Sequence, residues 1–156
     1  MKTVIIYYSK HGTTEKVAGI IGNYIGAETE LISLKERCNP DIEPYDRVIL
    51  GTSVYTGRPG RLMDKFCKRN GALLAKKTTG LFICCMNGEH EVEELANAFP
   101  EYLHKKSVAE AILGGEFLFD KMNFTERFIT RRIARIYSSV SNLRYDAIRE
   151  FAEKVK

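Results

Sequence analysis

Short apolar runs alternate with amphipathic segments along most of this chain. The first run, Val4 to Tyr8, contains no charged residue, as expected of a strand buried on both faces of a sheet. After a turn-like segment, apolar residues recur with helical spacing at Val17, Ile20, Ile21, Tyr24 and Ile25. Gly26 then occupies a position at which helices commonly end. The pattern predicts a strand, a loop and a helix in that order.

The same alternation continues through most of the remaining sequence. Further strand-like runs are Thr29 to Leu34, Arg47 to Gly51, Thr79 to Cys85 and Ala109 to Gly114. Helical faces are formed by Leu62, Met63, Phe66 and Cys67, by Val92, Leu95, Ala96 and Phe99, and by Tyr145, Ile148, Phe151, Ala152 and Val155. Alternating strands and helices predict an α/β fold with a five-stranded parallel sheet covered by helices on both faces. Residues 35–46, with Pro40 and Pro44, are predicted to cross over without a full helix.

Residues 116–142 are extra to this plan and are predicted to form a basic helical insertion before the last helix. Asn123 and Glu126 have the spacing of a helix capping box. One face of the predicted helix carries Ile129, Ile133, Ile136, Tyr137 and Val140, and the other carries Arg127, Arg131, Arg132 and Arg135, interleaved with Phe124 and Phe128. Two interpretations remain open: a solvated surface helix, or a surface that contacts a ligand or a membrane.

Length and composition fit one globular domain, predicted to span residues 1–156: the hydrophobic share is 44% and the charged share 28%. The apolar run at the N-terminus is too short for a signal peptide, and no stretch approaches the roughly 18 apolar residues of a membrane span. We therefore expect a cytoplasmic protein. The net charge of +4 is too mild to indicate nucleic-acid binding. The four cysteines lack metal-site spacing and are expected to be reduced; no metal site is predicted.

Three loops rich in small polar residues follow predicted strands, and such loops meet at the ligand-binding edge of a parallel sheet. The first comprises Ser9, Lys10, His11, Gly12, Thr13 and Thr14. A helix N-terminus presents unpaired N–H groups that suit a phosphate, and Gly12 lets the backbone curl toward it. The alternative is a strand–helix turn, capped by Thr13, that binds nothing. The dinucleotide-binding and Walker glycine motifs are both absent.

The first loop resembles the flavodoxin phosphate loop, usually [Ser/Thr]-x-Thr-Gly-x-Thr. Ser9, Gly12 and Thr14 match this motif, whereas His11 replaces a hydroxyl residue. His11 would either donate an N–H to the phosphate or point to solvent, and Lys10 would add positive charge. The resemblance implies a flavodoxin-like, doubly wound sheet of order 2-1-3-4-5 and FMN as the cofactor.

The other two loops resemble the flavodoxin segments that enclose the isoalloxazine ring. The second comprises Thr52, Ser53, Val54, Tyr55, Thr56 and Gly57, and the third Cys85, Met86, Asn87 and Gly88. Tyr55 would stack on the flavin, or else pack on its own loop. The resemblance assigns Gly57 the peptide that reorients toward reduced N5, and Asn87 an amide at the pyrimidine edge. Cys85 is interpreted as a buried bystander rather than a redox thiol.

The basic charge and the arginine-rich insertion resemble the menaquinone-dependent protoporphyrinogen dehydrogenase branch of the flavodoxin superfamily, although a Tyr/Trp-rich cluster is missing. This resemblance implies substrate or membrane contact through Phe124, Arg127, Phe128, Arg131, Arg132 and Arg135. Peripheral contact through residues 123–140, at the inner face of the membrane, is part of the same hypothesis. The implied partner is a redox protein, a quinone or a porphyrinogen.

Three functions therefore stay open: an FMN-dependent electron carrier, a protoporphyrinogen dehydrogenase with a quinone acceptor, and a non-catalytic flavin-binding or protein-interaction module. None needs an acid/base pair or a nucleophile, and no catalytic residue is assigned. A receiver domain of the same topology would need carboxylates for Mg²⁺ at the strand ends, where this chain has Ser9, Thr52 and Cys85.

Overall fold

The computed structural model describes residues 1–55, 57–86, 88–134 and 139–156, without the side chains of residues 133 and 134. The strands are β1 (Thr3–Tyr8), β2 (Thr29–Ser33), β3 (Arg47–Tyr55), β4 (Arg58–Pro59), β5 (Thr78–Cys84), β6 (Ala109–Ile112), β7 (Gly114–Phe117) and β8 (Val140–Leu143). The helices are α1 (Thr13–Ile25), α2 (Arg61–Arg69), α3 (Gly71–Leu74), α4 (Glu91–Ala98), α5 (Glu101–His104), α6 (Phe124–Ile129) and α7 (Tyr145–Val155). A 3₁₀ turn (Phe119–Lys121) and a π-helical turn (Thr130–Ala134) flank α6.

The predicted flavodoxin-like sheet is confirmed. Strands β2, β1, β3, β5 and β6 lie side by side in that order and are all parallel. This is the expected order 2-1-3-4-5, because the two-residue β4 pairs only with the end of β3 and is not one of the five long strands. The crossover at residues 35–46 has no full helix, as predicted.

Two hydrophobic layers sandwich the sheet, which explains why the strand sequences are apolar on both faces. One layer joins α1 and α7 to the sheet through Ile21, Phe151 and Phe82. The other joins α2, α3, α4 and α5 to the opposite face, with Phe66 and Leu50 near its centre. The carboxyl ends of the parallel strands carry the three polar loops.

The predicted inward face of α4 is confirmed at two of its four positions: Leu95 and Phe99 pack in the core. The other two are wrong, because Val92 is 74% exposed and Ala96 is also exposed, whereas Glu94 and Ala98 are buried. In a helix of only eight residues, packing against the sheet turns the side with Glu94 and Ala98 inward in place of the more apolar Val92. Tyr145, placed on the inward face of the last helix, is instead 56% exposed at its first position.

The insertion differs from the single long helix predicted. Helix α6 ends at Ile129, and Val140, assigned to its apolar face, begins strand β8, which pairs antiparallel with β7. The pairing brings the chain back to the sheet edge before α7. Gly114 permits it: its φ is 78°, and a Cβ there would lie 2.0 Å from the carbonyl oxygen of Asn142. Residues 135–138, which include Ile136 and Tyr137, lie outside the described residues.

Candidate functional site

The loop after β1 forms the N-terminus of α1. Gly12 caps the helix with φ 100°, a left-handed conformation that glycine adopts without strain. Its N–H donates to the Ser9 hydroxyl at 2.9 Å, which fixes the bend between strand and helix. The first N–H groups of a helix have no partner within it and carry its positive dipole end. The alternative cap predicted from the sequence, Thr13, is the first helical residue instead.

Buried hydroxyls at this edge leave hydrogen-bonding capacity for a ligand. Thr14 is 0% exposed, and among the described residues its Oγ1 has no hydrogen-bond partner beyond a weak interaction with the Cys84 thiol. The Oγ of Ser53, at the end of β3, is likewise buried and unpaired in the described structure. Buried polar groups are normally satisfied, so both hydroxyls fit a site for a polar ligand. Together with the helix N-terminus, they fit the phosphate and polar chain of FMN.

Positive charge collects around the same loop. Lys10 belongs to it, and Nζ of Lys121, from the insertion, lies 3.4 Å from the position of a Cβ on Gly12. A cleft of about 290 Å³, lined in part by Ser9, Gly12, Lys35 and Lys121, opens beside the loop. An anion at this place would meet cations as well as N–H donors.

Tyr55 stands at the end of β3 and is the candidate stacking residue. Nζ of Lys10 lies 4.2 Å from its ring centroid, and the His11 ring meets it edge-on at 5.8 Å. The Tyr55 hydroxyl lies 3.3 Å from Thr130 Oγ1 and donates to the Glu126 carbonyl at 3.4 Å. The structure therefore brings the first two predicted loops together. The insertion packs against the same loops through Glu126 and Thr130.

A second cleft, of about 400 Å³, is also lined by Lys10, and Tyr8, Ser53, Tyr55, Arg58 and Arg61 are among its other lining residues.

The remaining described residues of the second loop differ from one another in burial and in their contacts. Thr52 is buried, and its Oγ1 accepts the Gly60 N–H at 3.4 Å, which ties the β3–β4 turn together. Val54 packs in the hydrophobic core, so it can offer a ligand only its backbone. Gly57 has φ 73°, a conformation that favours glycine at the turn.

The third loop lies against the insertion. The Cys85 N–H donates to the Gly114 carbonyl at 3.0 Å, and the Cys85 thiol is buried. Burial, reinforced by Glu94, raises the pKa of Cys85 to about 12, so the thiol stays protonated and is a poor nucleophile at neutral pH. Met86 is half-buried and Gly88 is exposed. The predicted site residues Thr56 and Asn87 lie outside the described residues.

Two carboxylates of the insertion reach the first loop, and neither was predicted as a site residue. Glu126 Oε2 lies 2.6 Å from His11 Nε2, and Glu116 Oε1 accepts from the Thr13 hydroxyl at 3.1 Å. The sequence revealed Glu126 only as a helix-capping residue. That prediction is confirmed, because its N–H donates to Asn123 Oδ1 at 2.8 Å. No local pattern indicates a contact between Thr13 and Glu116, which are 103 positions apart.

The environment of Glu116 predicts that the stability of the fold depends on pH. Burial raises the pKa of Glu116, but hydrogen bonds from Ser141, Thr13 and Lys16 together outweigh burial and hold it below its ordinary value. A lowered pKa adds stability above the unfolded-state pKa, and this stability is lost as pH falls through the folded-state pKa. Glu116→Gln should therefore lower the free energy of unfolding at pH 7 by roughly 1–3 kcal/mol, with a difference that shrinks in acid. Urea unfolding across pH measures this, and Glu150→Gln is the exposed control; a pH-independent difference would contradict it.

Some of the residues of the insertion predicted to contact a substrate or membrane are exposed, and others contact the protein itself. Phe124 is 84% and Phe128 54% exposed. Arg132 lies over the Phe128 ring at 5.6 Å and Arg131 over the Phe119 ring at 5.7 Å. Arg127 instead donates from Nε to the Phe119 carbonyl at 2.6 Å, so it is not free on the surface. Arg135 lies outside the described residues.

Within the described part of the chain, no helix is long and apolar enough to cross a membrane.

Comparisons with known proteins agree with this fold. The chain is 18% identical over 157 residues to the protoporphyrinogen IX dehydrogenase [quinone] of Escherichia coli (strain K12), with 95% of this chain and 87% of that protein covered. The structure resembles the two-electron reduced flavodoxin of Megasphaera elsdenii, with a TM-score of 0.61, 18% identity, and coverage of 98% of this chain and 97% of that one. It also resembles the Streptococcus pneumonia TIGR4 flavodoxin, with a TM-score of 0.60, 14% identity, and coverage of 98% and 96%. The model of the flavodoxin domain family matches residues 4–142, and the chain belongs to that family.

Proposed function

We propose that this protein binds FMN at the carboxyl edge of its sheet and transfers electrons through it. The observation that carries the proposal is the loop after β1, where a glycine-capped helix N-terminus and the unpaired hydroxyl of Thr14 come together. The flavin, when bound, supplies the redox chemistry, and the protein binds, orients and shields it.

The chain's own residues have separate roles in this proposal. The N–H groups at the start of α1 and the Thr14 hydroxyl hold the phosphate, while Ser9 keeps the loop bent through Gly12. Tyr55 offers its ring to the isoalloxazine, since aromatic faces pack well on a flat conjugated system. The protonated thiol of Cys85 packs beside the site without taking part in the chemistry.

The test is direct. Purified protein incubated with FMN and desalted should be yellow, hold one FMN per chain, and be reduced and reoxidised in an anaerobic dithionite titration. FMN is the expected form because the loop offers donors for a phosphate; riboflavin, which lacks one, should bind more weakly. Protein that folds, as judged by circular dichroism, but stays colourless with excess FMN would refute the proposal.

A second candidate function, oxidation of a porphyrinogen with a quinone as acceptor, rests on the basic and aromatic surface of α6. Arg131 and Arg132, in the turn that follows α6, are exposed, and Arg132 lies beside the exposed Phe128, a combination that suits carboxylates attached to a flat macrocycle. The similarity to the Escherichia coli enzyme supports this candidate. Anaerobic assays with protoporphyrinogen and a quinone separate it from electron delivery to a protein partner. Quinone reduction that depends on porphyrinogen favours the enzyme.

The same surface supports a proposed membrane contact at the cytoplasmic face. Burying two exposed phenylalanines is worth about 1.5–3 kcal/mol each, and arginines attract anionic lipid head groups. The protein should co-sediment with anionic vesicles and less with neutral ones. Phe124→Ser/Phe128→Ser and Arg131→Glu/Arg132→Glu should each lower binding by roughly tenfold or more. Val108→Ser, which changes another exposed apolar residue, is the control; equal pelleting of all variants would contradict the membrane contact.

A further inference from the structure

The insertion presents a carboxylate to Lys10 and His11 of the phosphate loop. Glu126 Oε2 lies 2.6 Å from His11 Nε2, and Glu126 Oε1 lies 4.0 Å from Lys10 Nζ. The side chains of Glu126 and His11 are only 14% and 13% exposed, so the pair is shielded from solvent. Neither Glu126 Oε2 nor His11 Nε2 has a hydrogen-bond partner within the described structure, so the two atoms are close without the geometry of a hydrogen bond. The Glu126 carboxylate is thus held near Lys10 and His11 with little solvent, where charge interactions are stronger than at an exposed surface.

The contact places α6 over both loops predicted to hold the flavin. At the phosphate loop the contact is made through Glu126 and His11. At the stacking loop it is made through Tyr55, whose hydroxyl meets Glu126 O and Thr130 Oγ1. Thr130 is itself 3% exposed and donates to Glu126 O at 2.8 Å, so the end of α6 is packed against the site as one unit.

A phosphate bound at this loop and the Glu126 carboxylate would share the same partners, the Lys10 ammonium and the His11 ring. Both are anions, and placing them side by side over one histidine and one lysine brings like charges together in a poorly solvated place. The second carboxylate, Glu116, contacts Thr13 and Lys16 rather than His11 or Lys10, so it does not share this competition. The competing group is therefore Glu126.

We propose that Glu126 is an internal counterion of the phosphate loop, which holds α6 on His11 and Lys10 until the phosphate of a flavin displaces it. This inference rests on the proposed FMN site, and it adds that binding at this site controls the position of α6. The presence of a phosphate, rather than of an isoalloxazine ring, then decides where α6 lies. Because α6 carries Phe124 and Phe128, cofactor loading is coupled to the position of the exposed aromatic surface.

The first experiment compares affinities. Glu126→Gln keeps the side-chain length and the oxygen that accepts from Asn123, but removes the charge. It should bind FMN roughly tenfold more tightly than wild type, a size usual for coupling between two contacts, and riboflavin with unchanged affinity. Asp120→Asn, which removes an exposed negative charge from the same insertion, is the matched control and should bind both flavins as wild type does. Equal FMN affinity in all three proteins would overturn the inference.

The second experiment needs no flavin, and so separates the failure of this inference from that of the proposed function. Trypsin should cut wild type slowly at the basic residues of the insertion, and inorganic phosphate should accelerate the cutting. Glu126→Gln should be cut quickly without phosphate, whereas Asp120→Asn should behave as wild type; circular dichroism checks that each variant is folded. Identical cleavage of wild type and Glu126→Gln would overturn the inference. Absence of flavin binding in every protein, with the expected cleavage pattern, would refute the FMN proposal but leave the Glu126 contact standing.

Discussion

Tyr55→Ala is expected to weaken FMN binding by about 10- to 100-fold, since stacking of an aromatic side chain on a flat heterocycle is worth roughly 1–3 kcal/mol. Tyr55 stands at the end of β3, half-buried, with its ring against Lys10 and His11. Fluorescence titration of FMN with the apoprotein measures the loss, because binding quenches the flavin.

Two further variants test whether the effect of Tyr55→Ala comes from loss of the ring. Tyr55→Phe keeps the ring and removes the hydroxyl that contacts Thr130, so it should retain most of the affinity for FMN. Tyr24→Ala removes an exposed tyrosine elsewhere, on α1, and should leave the affinity unchanged. An equal loss in Tyr55→Phe and Tyr55→Ala would show that Tyr55 acts by holding α6 rather than by stacking.

Phe151→Ala is expected to lower the free energy of unfolding by about 3–5 kcal/mol, the usual cost of removing a buried phenylalanine. Phe151 is 2% exposed and meets the Phe82 ring at 5.8 Å with an interplanar angle of 65°. This contact joins α7, the last element of the chain, to strand β5, which lies between β3 and β6 in the sheet. The cavity left by alanine would lie between helix and sheet, where collapse is restricted.

Urea unfolding followed by circular dichroism measures the change as a shift of the midpoint. Tyr145→Ala is the matched control, because it truncates an aromatic residue of the same helix that is 56% exposed and should change stability by no more than about 0.5 kcal/mol. Similar midpoints for the two variants would contradict the position of Phe151 in the core.

The fold was largely predictable because its signals are local. The uninterrupted apolar run of β1 reflects burial by a layer on each face of the sheet, and the spacing of Val17 and Ile21 in α1 reflects burial on one side of that helix. Strand β3 was predicted too short, ending at Gly51 instead of Tyr55, because its last residues pair with β4 in a turn whose polar sequence resembles a loop. The face of helix α4 was predicted correctly at Leu95 and Phe99 but not at Val92, since eight residues hold too few turns for a periodic pattern to outweigh packing.

The candidate site was predictable only where its residues follow one another in the chain. Ser9, Gly12 and Thr14 lie in one motif, and the structure joins Tyr55 to them through Lys10. The contacts of Glu116 and Glu126 could not be predicted, because they depend on how the insertion returns over the sheet. That return depends on the pairing of β7 with β8, two segments separated by the whole insertion. Long-range pairing of this kind leaves little trace in a single sequence.

Calorimetric titration of the purified apoprotein with FMN, and separately with riboflavin, tests the central claim most directly. We expect one FMN per chain and a clear preference for FMN, because the start of α1 and the Thr14 hydroxyl bind the phosphate in the proposed site. Equal affinities for the two flavins would contradict the phosphate site, and the absence of heat with either would contradict the flavin site altogether.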